Sequence, residues 1–184
     1  QSGYRAGPDC NETTDIMSCT NGLRSETCPY HKIIHLDESG TKQVNANCVP
    51  ASSIRNEPWF ILPPAMEYYY RFKHPEYKVL PPYAPGCISD KTIPVMEFIY
   101  PTPGIRIFIP RDQTGEMTKI ITEVAHRNPI KKIFWHLDEK YIATTRSIHQ
   151  IEIFAGPGDH TLTVVDEDGN SLKCIFSITA KSGN

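Results

Sequence analysis

The sequence predicts a mainly β protein whose C-terminal half, about residues 95–180, folds as an antiparallel β-sandwich. Two observations carry this prediction. About eight short segments of alternating apolar and polar residues follow one another at roughly ten-residue spacing, and no helical pattern separates them. The chain also has 16 prolines and 11 glycines, which favours turns over long helices. Strands connected in this way pair in antiparallel order.

The strands of the predicted sandwich are placed by their two-residue alternation. We expect them at 97–100, 105–109, 118–125, 132–137, 141–143 and 148–154, before a final hairpin. Trp135 lies in the middle of one strand, and the alternation points its ring inward. A buried tryptophan at such a position is typical of immunoglobulin folds, so the sandwich is predicted to be immunoglobulin-like.

The final hairpin, at 156–172 and beyond, is the clearest element of the chain. Leu162 and Val164 alternate with threonines, which is the pattern of a half-buried strand. The acidic segment 166–170 then reverses the chain, because Gly169 can adopt the positive φ that such a turn needs. The segment lacks the EF-hand pattern, so its aspartates are interpreted as turn formers and not as calcium ligands.

Residues 1–94 are predicted to be an irregular, cysteine-containing segment before the sandwich domain of residues 95–184.

Within this first segment, a hairpin is expected at 31–47, with its turn at 37–40. A short helix is expected near 64–73, because proline suits a first helical turn and His74-Pro75 ends the pattern. The proline-rich stretch 80–86 is predicted to be a stiff, extended linker.

Six cysteines indicate disulfide bonds in an oxidising compartment. Cys28 and Cys48 flank the predicted hairpin, so they are the first choice for a bridge, and Cys10–Cys19 is the residual pair. Four cysteines allow three pairings, which the sequence does not separate. Zinc bound by Cys10, Cys19, Cys28 and His31 is the alternative, disfavoured because the cysteine intervals lack the short spacing of zinc knuckles. The states of Cys87 and Cys174 are left open.

Aromatic residues are the candidates for an interaction surface. The run at 68–70 invites a stacking role, although rings more often pack in a core. The candidate residues are Trp59, Tyr68, Tyr69, Tyr70, Tyr83 and Tyr141.

Motifs for catalysis are not found in the sequence. There is no Gly-x-Ser-x-Gly, no Ser-x-x-Lys before a helical segment and no Lys-Thr-Gly. The seven histidines are scattered along the chain. His136, His149 and His160 could bind a metal only if the strands brought their side chains together, and no metal-binding motif links them. We therefore predict no catalytic residue, no cofactor and no metal.

Charge and hydropathy restrict the partners. The net charge of −2 does not favour nucleic acid or an anionic membrane surface. No apolar run approaches the ~20 residues of a membrane span, so direct membrane insertion is not expected. Because the sequence starts at Gln1 without a signal peptide, we expect a mature product or an excised piece of a longer protein.

Several stretches, in order, resemble the C-terminal region of penicillin-binding protein 1C. The first is Trp135-His136-Leu137-Asp138, followed by Tyr141 and then by the hairpin beginning Gly156-Pro157-Gly158-Asp159-His160. Further stretches are similar to the segment that joins the transpeptidase domain to the C-terminal domain in those proteins, at 28–31, 59–64, 67–70, 74–77 and 80–82. Residues 2–8 are similar to the exit from the transpeptidase domain.

The resemblance implies a parent that is a bifunctional peptidoglycan synthase of the bacterial periplasm, anchored by one N-terminal membrane helix. The positions of its catalytic motifs have no counterpart here, so no catalytic residue is carried over. The expected function is a non-catalytic module that docks partner proteins or the cell wall, with the rest of the synthase as first partner. A muropeptide- or carbohydrate-binding module with exposed rings is the alternative, and an independent enzyme with a histidine or aspartate site is a third.

Overall fold

The computed structural model describes residues 2–19, 21, 25–87, 93–109 and 119–179. Backbone contacts divide the chain into two compact units. The first contains Gln1–Leu62 and His74–Ile93, and the second contains Pro63–Lys73 and Pro94–Asn184. The helix at 64–73 therefore belongs to the same unit as the sandwich, whereas the sequence-based division places it before a boundary near residue 94. That predicted boundary lies partly outside the described residues.

The first unit is built on a two-stranded antiparallel sheet. Strand β1, His31–Leu36, pairs along its whole length with β2, Arg55–Phe60. The predicted hairpin 31–47 is corrected here, because its second arm forms no strand and pairs with β1 only next to the turn, through the Leu36–Gln43 bridge and two backbone hydrogen bonds. A short 3-10 helix, Ala51–Ser53, precedes β2. The sequence places β1 correctly and misses its partner, which lies beyond this helix.

A small apolar core holds the first unit together. Ile34, Leu36 and Ile61 are buried, and Trp59, Leu80 and Ile93 pack against them. In β1 the buried positions 31, 34 and 36 depart from strict alternation, since Lys32 and Ile33 are both exposed.

One disulfide, Cys48–Cys87, closes the first unit, with a Cα–Cα distance of 5.2 Å. The predicted Cys28–Cys48 and Cys10–Cys19 bridges are wrong, since Cys10, Cys19 and Cys28 are free thiols. The reason lies in Gln43. Its backbone N–H donates to Pro82 O, and its carbonyl accepts from Ala84 N–H, both at 2.9 Å. The proline-rich stretch therefore runs beside Gln43 and brings residue 87 to residue 48.

Two sheets form the sandwich of the second unit, which confirms the predicted fold class. The three-stranded sheet has the order β3-β5-β8, and the five-stranded sheet has the order β4-β10-β9-β6-β7. The strands are β3 Met96–Tyr100, β4 Arg106–Phe108, β5 Ile120–His126, β6 Ile133–Leu137, β7 Lys140–Thr145, β8 Gln150–Ile153, β9 Gly158–Asp166 and β10 Ser171–Thr179. One pairing departs from the antiparallel prediction, because β4 runs parallel to β10.

Trp135 lies fully buried at the centre of the sandwich core, as predicted. Its indole N–H donates to Thr145 Oγ1 at 2.8 Å, so its one polar group has a partner. Thr145 Oγ1 also lies 3.0 Å from His149 Nδ1. Residues of both sheets, including Phe98, Leu162 and Phe176, belong to the same buried core. The described residues contain no helix long and apolar enough to cross a membrane.

The turn between β9 and β10 is held by the buried carboxylate of Asp166. Its Oδ1 accepts from the backbone N–H groups of Asp168 (2.9 Å) and Asn170 (2.8 Å), and its Oδ2 accepts from Asn170 Nδ2 (2.7 Å). Gly169 has φ of 86°, as the turn requires. The interpretation of this aspartate as a turn former is therefore correct but incomplete, because Asp166 also reaches the other sheet.

His126 of β5 contacts Asp166 from the facing sheet, with Nε2 and Oδ2 3.2 Å apart. Both side chains are nearly fully buried. The Asn128 N–H donates to His126 Nδ1 at 2.9 Å, so Nδ1 is the acceptor and Nε2 carries the proton given to Asp166. Burial raises the pKa of Asp166, but the bonds from Asn170, His126 and Asp168 outweigh it and lower that pKa overall.

The single helix, α1 (Pro64–Lys73), packs against β3 and β5 of the three-stranded sheet. Glu97, on the outward face of β3, accepts from the Ala65 N–H of the first helical turn at 2.9 Å. Glu67 is buried and forms an ion pair with Arg127. Arg127 also donates through Nε to Pro94 O at 2.9 Å. These contacts fix the helix and the direction of its side chains.

Replacing Asp166 tests the contact that joins the sheets. Asp166→Ala removes four accepted hydrogen bonds, so the free energy of unfolding should fall by about 3 kcal/mol in urea titrations followed by circular dichroism. Asp168→Ala is the matched control, since Asp168 is about half exposed beside Lys131; it should cost about 0.5 kcal/mol. Equal losses for the two variants would contradict the role given to Asp166.

Stability should also depend on pH through His149. Burial, and then the proximity of the His126 ring, hold the pKa of His149 below its ordinary value in the folded chain. The unfolded chain therefore takes up the proton first, and stability falls as pH drops below about 6.5, by at most about 1.4 kcal/mol per pH unit. His149→Gln should flatten the curve between about pH 7 and 5, whereas His35→Gln, at an exposed position of β1, is the matched control and should change the curve much less.

Candidate interaction surface

Two of the predicted interaction residues, Trp59 and Tyr83, lie in the first unit and are half-buried. The indole N–H of Trp59 donates to Lys78 O at 3.1 Å, and its ring packs against the core of that unit. Tyr83 forms a backbone bridge with Gln43. Both residues contribute to the packing or pairing of the unit, so neither forms an open stacking platform.

Helix α1 carries an exposed aromatic surface, which we define as Met66, Tyr68, Tyr69 and Phe72. Met66 is 47% exposed, Tyr69 54% and Phe72 74%. Tyr68 packs edge-on against both Tyr69 and Phe72, with ring centroids 5.2 and 5.4 Å apart. Because residues three apart lie on the same side of a helix, this surface is continuous. Tyr68 and Tyr70 are both half-buried; Tyr68 is included in the surface because its ring contacts the two exposed rings.

The three-residue spacing of Met66, Tyr69 and Phe72 is the signal that defines this surface. The candidates that the sequence offers on this helix are Tyr68, Tyr69 and Tyr70, and Met66 and Phe72 are not among them. Glu67, which anchors the helix through Arg127, projects from roughly the opposite side of the helix to Tyr69. Burial raises the pKa of Tyr69, and the negative charge of Glu123 on β5 raises it further. The aromatic surface is thus bordered by an acidic side chain.

Tyr141 marks a second exposed region, on the outer face of the five-stranded sheet. It is 60% exposed. A bulge between Trp135 and His136 sets Tyr141 opposite His136, and their ring centroids are 5.8 Å apart. The Tyr141 hydroxyl lies 3.0 Å from Thr144 Oγ1. This region combines an open aromatic ring with neighbouring polar groups.

Three of the four residues in the zinc alternative meet in the first unit. One ligand atom each of Cys10, Cys28 and His31 lies within 4.8 Å of the others, and Cys19 is not in the group. Burial raises the pKa of Cys28, but hydrogen bonds from Ser2, His31 and nearby backbone N–H groups lower it to about 6. The intervals between cysteines do not identify this group. Its signal in the sequence is the interval of two residues between Cys28 and His31.

The histidines of the sandwich do not gather around one point. His160 contacts Asp138 at 2.7 Å and Gly156 O at 2.8 Å. His149 contacts Thr145, and the His136 ring faces Tyr141. The possible meeting of three histidines around a metal is therefore not found among the described residues.

Comparisons with known proteins identify a family for the second half of the chain. Residues 85–176 match the model of the Penicillin-Binding Protein C-terminus Family. No curated protein matches the chain. Among solved structures, the fibronectin(III)-like modules of Clostridium thermocellum CbhA share 13% sequence identity with it, at a TM-score of 0.34, over 48% of this chain and 99% of that chain.

Proposed function

The chain belongs to the Penicillin-Binding Protein C-terminus Family, and from this premise we propose that it is the docking module of a bifunctional peptidoglycan synthase. The family is a non-catalytic part of penicillin-binding proteins. The parent in this proposal resembles penicillin-binding protein 1C and both polymerises and crosslinks peptidoglycan. It works in the bacterial periplasm, anchored in the inner membrane by an N-terminal helix. The family match over residues 85–176 is the observation that carries the proposal.

The aromatic surface of α1 supports the docking role. Methionine and aromatic residues are enriched in the cores of protein interfaces, and contiguous exposed apolar patches mark interaction sites. Tyr69 and Phe72 form such a patch, because both side chains are more than half exposed to solvent. The helix that carries them is already held in place by the buried Glu67–Arg127 pair. Binding therefore loses little conformational entropy of the backbone. A surface of this kind suits a protein partner.

The transpeptidase domain of the same parent is the partner we propose for this surface. Two domains in one polypeptide meet at a high effective concentration, which reaches the millimolar range for short linkers. A modest apolar surface therefore suffices to hold them together. Periplasmic partner proteins and the cell wall itself are the other occupants that an experiment has to separate.

A two-piece binding assay tests the docking proposal. The chain and the remainder of its parent are produced as separate polypeptides, and their dissociation constant is measured by calorimetry. Tyr69→Ser with Phe72→Ser should weaken binding at least tenfold, or about 1.4 kcal/mol, because the centre of the surface is lost. Tyr141→Ser is the matched control and should leave the constant within about twofold, since it changes another exposed ring.

The outcomes of this assay separate the alternatives. Unchanged binding by the double variant contradicts docking through α1. If the chain associates with intact sacculi but not with the remainder of the parent, the cell wall is its docking partner.

A second function, binding of muropeptides or glycan, is favoured by Tyr141 alone. Sugar rings stack on exposed aromatic faces beside polar groups, and Tyr141 has His136 and Thr144 as such neighbours. The ring lies on an open sheet face, where an extended glycan has access.

Purified glycan strands test this second function. If it is correct, the chain should cosediment with glycan, and Tyr141→Ser should abolish most of that binding, because the stacking ring is removed. Tyr69→Ser serves as the control and should bind normally. Glycan binding that does not depend on Tyr141 would exclude this site.

A further inference from the structure

Three metal-binding side chains of the first unit meet at one point, and we propose that Cys10, Cys28 and His31 bind a zinc ion. Their ligand atoms all lie within 4.8 Å of one another. Cys28 Sγ and His31 Nδ1 are 3.2 Å apart. Around a tetrahedral zinc ion, sulfur and nitrogen ligand atoms are separated by roughly 3.4–3.8 Å, given Zn–S near ~2.3 Å and Zn–N near ~2.0–2.1 Å. The cluster therefore needs only small shifts to close on the ion.

The turn that carries Cys28 and His31 has the local form of a zinc-binding loop. Two residues separate the ligands, which is the short interval typical of such loops. The backbone N–H groups of Tyr30 and His31 hydrogen-bond to the Cys28 sulfur and fix its direction. His31 is buried at the start of β1, and its ring lies 5.0 Å from that of Phe60. Both ligands are thus held before any metal arrives.

Cys10 is brought to the cluster by a close approach of two chain segments. The Cys28 N–H donates to Arg5 O at 2.9 Å, which ties the N-terminal segment to the loop. A tight turn follows, in which Gly7 N–H donates to Cys10 Sγ at 3.3 Å. A Cβ atom on Gly7 would lie 3.0 Å from the Thr27 methyl group, so a larger residue at position 7 would crowd Thr27. The turn at residues 7–10 therefore fixes the position of the Cys10 sulfur through a hydrogen bond from the backbone.

The donor set selects the metal. Two thiolates and one imidazole suit zinc, whereas magnesium and calcium prefer oxygen ligands. Three protein ligands leave one tetrahedral position, which water completes. A disulfide between Cys10 and Cys28 is the rival use of the same sulfurs, yet both remain thiols in a chain that joins Cys48 to Cys87. This zinc site is independent of the docking function proposed above.

Metal titration of the whole chain tests the site. The protein is first stripped of metal, and zinc affinity is then measured by competition with a chromophoric chelator. Cobalt(II) is used as a spectroscopic probe of thiolate ligation. We expect one zinc per chain, a thiolate-to-cobalt charge-transfer band, and a melting temperature that rises with zinc and falls again with EDTA.

Single substitutions then assign the ligands. Cys10→Ser, Cys28→Ser and His31→Gln should each weaken zinc binding by at least about 100-fold, more than the loss of an outer partner usually costs. Cys19→Ser and His35→Gln are matched controls at exposed positions outside the cluster and should retain the stoichiometry with less than about tenfold weakening. The conservative charge-free changes keep side-chain size, and circular dichroism of each variant checks that it folds.

Three results would overturn the assignment. One is absence of zinc binding by the folded protein in which Cys10 and Cys28 are thiols and the Cys48–Cys87 bridge is intact. Another is equal loss in the control variants, which would show binding at scattered thiols. The third is recovery of Cys10 and Cys28 as disulfide-linked peptides after digestion of the native, unreduced protein, since oxidised sulfurs cannot ligate the metal.

Discussion

The buried contact between His126 and Asp166 is the constraint on which the sandwich depends. It joins the two sheets at the end where the β9–β10 turn closes, and one carboxylate serves both the turn and the facing sheet. An aspartate without these donors would be costly at such depth. Its four accepted hydrogen bonds therefore link the local conformation of the turn to the packing of the two sheets around Trp135.

The second polar anchor, Glu67 with Arg127, gives the sandwich its functional asymmetry. It attaches α1 to the outer side of the three-stranded sheet, while the same helix leaves Tyr69 and Phe72 in solvent. The other outer face carries Tyr141 and no helix among the described residues. The fold thus presents two different outer faces, one with the aromatic surface of α1 and one with an open sheet around Tyr141.

Elements set by local pattern are predictable from the sequence. The inward position of Trp135 follows from strand alternation, and Gly169 follows from the turn it must form. Pairings that depend on distant chain segments are not predictable in this way. The partner of Cys48 is fixed by the backbone bonds of Gln43 to the proline-rich stretch, and the parallel pairing of β4 with β10 joins strands far apart in the chain. The exposure of Phe72 is not predictable in this way either, because helical spacing places it near Tyr69 but does not show which side of the helix faces the sheet.

The central proposal is that this non-catalytic module is held to its synthase through α1. Site-specific photocrosslinking in the intact parent protein tests it most directly, with the crosslinking residue placed at Phe72 or, for comparison, at Tyr141. We expect crosslinks from position 72 to peptides of the transpeptidase domain and few from position 141. Crosslinks from position 141 to that domain, with none from position 72, would contradict it.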